Sequence, residues 1–178
     1  METIRELRQL MDFYPTEVSS QLRYFIRQNI DWNVYLPTKG KNLQRDFVWT
    51  LEQKRELINS MLIGRHIPHC AIVNIVDPKD NKSDIWQIID GKQRLSAMVD
   101  FYQNKFTIEI DGVTYHFKDL PEDYQLAVSA YNFRYYVVNE PFETPMTDEQ
   151  KINWFKFINF AGTPQDAEHL RGLSQNYA

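Results

Sequence analysis

The stretch Cys70 to Val76, CAIVNIV, is almost continuously apolar, and it constrains the fold more than any other segment. A run of that length, rich in β-branched residues, reads as a strand buried on both faces of its sheet. Such a strand needs apolar cover on both sides. Asp77 to Asp84 is rich in Pro, Asn, Asp and Ser and reads as a turn. Ile85 to Ile89, IWQII, reads as a second strand. It stops at Asp90-Gly91, and a helix follows with Leu95, Met98, Val99 and Tyr102 as its buried stripe.

The flanking elements are placed by the same kind of signal. Thr50 is a helix N-cap, and Leu51, Leu57, Ile58, Met61 and Leu62 share one face of the helix it opens, with Gly64 as a left-handed terminator. Asp111-Gly112 between two alternating runs, Phe106–Ile110 and Val113–Phe117, is a strong hairpin signal. Pro121 to Ala130 reads as a short helix and Phe133 to Val138 as a strand. Thr147 opens a last helix with Asp148 and Glu149 in its first turn and Ile152, Phe155, Ile158 and Asn159 on one face. Gly162-Thr163-Pro164 stops it. Trp32 to Leu36 reads as a strand entering a loop over Thr38–Asp46. Before that, Ile4, Leu7, Leu10 and Met11, and then Val18, Leu22, Phe25 and Ile26, recur at helical spacing on either side of Pro15. The expected organisation is an N-terminal helical extension over 1–30 and one domain over 31–178. The expected fold class is α/β (α+β), a small mixed sheet flanked by helices.

Composition limits the function classes. With 43% apolar residues in 178, the chain has enough to bury a core, so disorder is excluded as its main state. A single cysteine, Cys70, rules out an internal disulfide framework and fits a reducing, cytoplasmic setting. One Cys and four His, with no carboxylate pattern around His66 and His69, argue against a structural zinc site. The net charge of −4 argues against a strong non-specific grip on nucleic acid. Lys39, Lys41, Arg45, Lys54 and Arg55 still offer a local basic strip. No apolar run is long enough to span a membrane. Neither a Walker loop nor a Gly-x-Ser-x-Gly elbow occurs.

The chemistry concentrates in IIDGKQRLSAM, Ile88 to Met98. A strand that runs through Asp-Gly into a helix presents first-turn N–H groups at the strand's end, a ready anion site. Gly91 admits close approach of a phosphate, and Lys92 and Arg94 add positive charge within one turn. Gln93 suits a base edge, a ribose hydroxyl or a water. Asp90 suits a water-held magnesium ion or the fixing of the loop. The plainer reading is that Asp90 caps the helix and Arg94 is a surface residue. In NLQRDFVWT, Asn42 to Thr50, Gln44 and Arg45 are either a second wall of the same pocket or a solvated loop whose aromatics, Phe47 and Trp49, plug the core. In FINFAGTP, Asn159 and Thr163 are either ligand contacts or parts of a helix stop.

Together QRDFVW with EQKRELINSMLIGRHIP, then IIDGKQRLSAM, then FKFINFAGTPQDAEHL resemble the N-terminal domain of GmrSD-type modification-dependent restriction endonucleases. That family reads QRxxVW, DGQQRL and then an Asn followed by Gly-Thr-Pro, and it belongs to the ParB and sulfiredoxin-like superfamily. The resemblance implies that Asp90, Gly91, Lys92, Gln93 and Arg94 form a nucleotide site, joined by Gln44, Arg45 and Asn159. It implies binding and hydrolysis of a nucleoside triphosphate (ATP, GTP or CTP) with Mg²⁺. Arg94, Lys92 and the Gly91–Gln93 amides would hold phosphates and Asp90 would organise the metal. Gln93 and Arg45 join Asp90 and Arg94 as catalytic candidates, and Gln44 would orient the ligand. The linked process is recognition of modified DNA, restriction or phage–host conflict. DNA, a nuclease subunit and a second copy of the chain are the partners implied, and no membrane is.

Two departures stand out. Lys92 replaces the first Gln of DGQQR, and no nuclease-type His-Asn-His motif follows Gly162, so the chain alone is not expected to be a complete nuclease. No cysteine lies within Asp90–Arg94, which disfavours a sulfiredoxin-type reductase. The competing class is a non-catalytic DNA-binding or partner-binding module of ParB-like type, and residues 1–30 are a further candidate docking element for a full-length nuclease.

Overall fold

A computed structural model describes residues 13–76, 84–141 and 143–160. Its centre is a five-stranded mixed sheet in the order β1-β9-β5-β6-β2. These strands are β1 (Thr16–Gln21), β2 (Asn29–Asp31), β5 (Cys70–Val76), β6 (Ile85–Asp90) and β9 (Asn132–Pro141). β5 runs parallel to β9 and antiparallel to β6. Two small ribbons, β3 (Tyr35–Leu36) with β4 (Lys41–Asn42) and β7 (Ile108–Ile110) with β8 (Val113–Tyr115), lie outside it. The helices are α1 (Leu22–Phe25), α2 (Leu51–Leu62), α3 (Lys92–Tyr102), α4 (Glu122–Ser129) and α5 (Asp148–Phe160). The architecture is the expected α+β. No helix among the described residues is long and apolar enough to cross a membrane.

β5 is buried on both faces, as its apolar run requires. Cys70 and Ile72 join a core with Leu22, Phe25, Ile58, Leu95, Met98 and Phe101, under α1 to α4. Ala71 and Val73 join a second core with Val34, Leu36, Leu43, Ile152, Trp154 and Phe155, under α5. This is the strict period of two along a strand, with one residue in each core alternately.

Local signals explain the element ends. Thr50 Oγ1 accepts from Gln53 N–H at 3.3 Å and Gln53 Oε1 accepts from Thr50 N–H at 2.9 Å, a reciprocal cap on α2. Thr147 and Gln150 repeat it on α5, at 3.2 and 2.8 Å. Gly64 is left-handed at φ +70°, just beyond α2. Asp111 and Gly112, at φ +52° and +77°, form the tight hairpin turn between β7 and β8. On α2, Leu57, Ile58 and Met61 are buried, whereas Leu51 is exposed because it sits at the first turn, off the packed face.

The reading of 16–26 as helix is corrected. Thr16–Gln21 is an edge strand paired antiparallel to β9, from Thr16↔Val137 to Gln21↔Asn132. Thr, Val and Ser are weak helix formers that suit a half-buried edge strand, and pairing with β9 decides the matter. Only Leu22–Phe25 is helical, with Leu22 and Phe25 fully buried. The strand expected at Trp32–Leu36 is also displaced. Asp31 Oδ1 accepts from Asn33 and Val34 N–H, both at 3.0 Å, and this side-chain turn divides the segment into β2 and β3. The first helical stripe, Ile4 to Met11, most of the Asp77–Asp84 turn and the Gly162-Thr163-Pro164 stop lie outside the described residues.

Candidate functional site

The junction of β6 and α3 is built by a bulge and a glycine. Ala71 pairs with Asp90 and Ile72 with Ile88, so Ile89 is an extra residue in β6. Ile89 and Asp90 both stand opposite Ala71, which turns Asp90 toward the α5 side of the sheet. Gly91 follows at φ +92° and opens α3. A Cβ there would lie 2.5 Å from Cys70 Sγ and 2.9 Å from Cys70 Cβ. The close approach that requires glycine is therefore made by β5.

A cavity of about 580 Å³ opens at this junction. It is lined by Asp90, Gly91, Lys92, Gln93 and Arg94 from the junction, Gln44, Arg45 and Trp49 from the loop before α2, Pro68 and His69 from the segment entering β5, and Ile158 and Asn159 from α5. Every described residue singled out from the three sequence clusters as a site candidate lies on this lining; Thr163 falls outside the described residues.

Within the lining, most of the polar side chains hold one another. Arg94 donates to Asp90 Oδ2 at 2.7 Å and to the Pro68 carbonyl at 2.8 Å. Gln93 Oε1 accepts from Val48 and Trp49 N–H at 3.1 and 3.2 Å, while its Nε2 donates to the Asp46 carbonyl at 2.9 Å. Gln44 Nε2 donates to the Ile88 carbonyl at 2.6 Å. Lys92 is almost wholly buried; its Nζ donates to Asn33 Oδ1 at 2.9 Å and sits 4.6 Å from the centre of the Phe47 ring. Asn159 Nδ2 donates to the Phe155 carbonyl at 2.7 Å. Gln44, Lys92 and Gln93 thus fasten the 44–49 loop over α3. Arg45 differs: it is exposed and makes no hydrogen bond or ion pair among the described residues.

The electrostatics follow from burial. Desolvation pushes the Asp90 carboxyl above its ordinary range, opposed by the Arg94 charge and the Gly91 N–H. Desolvation likewise lowers Lys92, opposed by Asp46 and Asp31. Burial pushes the Cys70 thiol up to about 12, so it is an inert core group. The first turn of α3 leaves the N–H groups of Lys92, Gln93 and Arg94 without intrahelical acceptors. Their partial positive charge and Arg45 are what the cavity offers an anion.

Asp90 Oδ2 is held by the Arg94 guanidinium at 2.7 Å, so one of its two carboxylate oxygens is already committed to a cation. Among the described residues no group of three or more His, Cys, Asp or Glu is placed to hold a metal ion. The basic strip is also broken up. Lys54 is paired with Asp100 at 3.0 Å, and Arg55 donates to the Thr107 carbonyl at 2.9 Å. Sequence reading missed Pro68, His69 and Ile158 as lining residues. The available signal was Ile67-Pro68-His69 entering β5, since Cys70 must abut Gly91.

The family model described as the GmrSD restriction endonuclease N-terminal domain matches residues 25–173. No curated protein and no solved structure matches the chain.

Proposed function

The chain belongs to the GmrSD restriction endonuclease N-terminal domain family, and from that premise we propose that its cavity binds a nucleoside triphosphate and hydrolyses it. The observation that supports this most is that Arg45, which has no partner among the described residues, lines the same cavity as the open first turn of α3. Phosphoryl transfer depends on positioning and charge neutralisation more than on covalent chemistry. The α3 amides and Arg45 meet the phosphates. Arg94 keeps N–H groups beyond the two it commits to Asp90 and Pro68. Trp49 offers a flat surface to a base. Asp90 acts by orienting Arg94. Gln44 and Gln93 act by holding the loop that carries Arg45. Mg²⁺ enters on the nucleotide's phosphates.

The biological setting we infer is restriction of modified DNA inside the cell, with a nuclease as partner. The test is calorimetric titration with Mg²⁺ complexes of ATP, GTP, CTP and UTP, alongside phosphate release with and without DNA. Arg45→Ala should weaken binding at least about tenfold, a loss of about 1.4 kcal/mol in keeping with one charge-assisted phosphate contact. Undiminished binding in Arg45→Ala would refute the site. Binding without phosphate release would leave a nucleotide-gated module in place of an enzyme.

A further inference from the structure

His69 lies outside the three motif segments that line the cavity, yet it is a lining residue itself. The other ionisable lining groups are already committed or cannot titrate. Asp90 and Arg94 neutralise each other at 2.7 Å. Lys92 is turned onto Asn33 and Phe47. Arg45 stays charged at any working pH. Imidazole is the side chain whose charge ordinarily changes between about pH 5 and 8.

The ring is held in place by its neighbours. His69 Nε2 lies 3.3 Å from Glu17 Oε1 on β1. The ring stacks on Tyr136 of β9, with centroids 5.1 Å apart and planes at 23°. Its backbone is fixed from the other side, because the Pro68 carbonyl accepts from Arg94. Glu17 precedes the segment 25–173 that matches the family, so the carboxylate that contacts His69 comes from outside the matched segment.

We propose that His69 is a ligand-contacting residue of the cavity that takes up a proton when a polyphosphate binds. Glu17 holds the Nε2–H, and the protonated Nδ1–H donates to a phosphate oxygen. The proposal rests on the nucleotide reading above. A neutral imidazole with its hydrogen on Nε2 has only an acceptor left at Nδ1, which a phosphate oxygen cannot use; the imidazolium has two donors. A polyphosphate adds negative charge on the cavity side and favours the charged ring. Glu17 favours it from β1, although Arg134 of β9 shares the same carboxylate oxygen at 3.4 Å. Arg45 and Arg94 oppose it from the cavity side, the latter offset by Asp90. His66 lies with its ring 5.7 Å away on the same loop. By linkage, a ligand that raises the proton affinity of His69 must itself bind more tightly as His69 protonates.

The test uses the full chain and the Mg²⁺ complex of whichever of ATP, GTP, CTP and UTP binds best. The His69 ring resonance is assigned by its loss in His69→Gln and followed by NMR across pH 5–9. Saturating nucleotide should raise its midpoint by about one unit, which corresponds to tighter binding by up to about tenfold between pH 8 and pH 5.5. That gain should vanish in His69→Gln, because the nucleotide's own titration is common to both proteins. A His69 midpoint that nucleotide does not move, or a His69→Gln pH profile parallel to wild type, overturns the proposal and leaves the nucleotide reading standing. No nucleotide binding at any pH overturns both.

Discussion

Replacing Gly91 by Ala tests the junction from which the whole site is built. Two separate costs arise. The backbone at φ +92° suits glycine, and an L residue held in left-handed space costs about 1–2 kcal/mol. The added methyl would lie 2.5 Å from Cys70 Sγ and 2.9 Å from Cys70 Cβ, and neither neighbour can yield freely because Cys70 is 2% exposed and starts a central strand. Overpacking of that kind costs about 1–3 kcal/mol. The sum, about 2–5 kcal/mol, is a large part of the stability of an ordinary domain. Urea unfolding should therefore show a marked drop in midpoint with little change in slope. Cys70→Ala removes the nearer obstacle and leaves the Cβ and the backbone strain. In the double variant the two changes should couple favourably, by about 1 kcal/mol or more, with only part of the loss recovered. A Gly91→Ala protein within about 0.5 kcal/mol of wild type, or strict additivity with Cys70→Ala, would refute this account.

Two further outcomes follow from the same contacts. Gln93→Ala removes the acceptor of the Val48 and Trp49 N–H groups and a donor to Asp46; hydrogen exchange at those two amides should speed up, and nucleotide affinity should fall although the Gln93 side chain is given no phosphate contact. Glu140 is buried, accepts from Met146 N–H and leaves Oε1 without a partner among the described residues; burial raises its carboxyl above the ordinary range, opposed by that N–H and by Lys151. A raised carboxyl binds its proton more tightly when folded, so its contribution favours folding as pH falls through the folded-state value toward the ordinary carboxylate range. Unfolding free energies of wild type minus Glu140→Gln should therefore rise as pH is lowered from 7 toward 5, and a flat difference would refute the assignment.

How much of this was legible in the sequence depended on whether the deciding interaction was local. The caps at Thr50 and Thr147, the Asp111-Gly112 turn and the two-faced burial of the Cys70–Val76 strand, complete over Cys70–Val73, are short-range signals, and each is found where the residues place it. The strand Thr16–Gln21 was hidden because its partner, Asn132–Val137, lies more than a hundred residues away, while Val18 and Leu22 happen to fall at helical spacing. That Asp90–Arg94, Gln44, Arg45 and Asn159 gather at one cavity was legible, but the orientation of their side chains was not. Lys92 reads as a phosphate-binding cation, yet the path open to its side chain leads toward Asn33 and Phe47. His69 carried no motif; it enters the site only because the β5 strand it precedes is locked to Gly91.

The contacts around α3 divide the labour of the motif in a way its composition conceals. Asp90, Gln93 and Gln44 spend their polar atoms on Arg94, on the 46–49 backbone and on β6. The charge left open to a ligand sits on Arg45, in the loop those residues hold. If the cavity binds a nucleotide as proposed, anion binding and loop order are two sides of one equilibrium: a phosphate on Arg45 would hold the loop against α3, and a loosened clamp would lower affinity without removing a phosphate contact. Substitutions at Gln93 or Gln44 should therefore weaken nucleotide binding in proportion to the loss of loop protection. Arg45→Ala should weaken binding and leave the loop amides as protected as before. If Arg45→Ala instead exposed the Val48 and Trp49 amides, Arg45 would be part of the clamp, and the cavity would have lost its one uncommitted cation among the described residues.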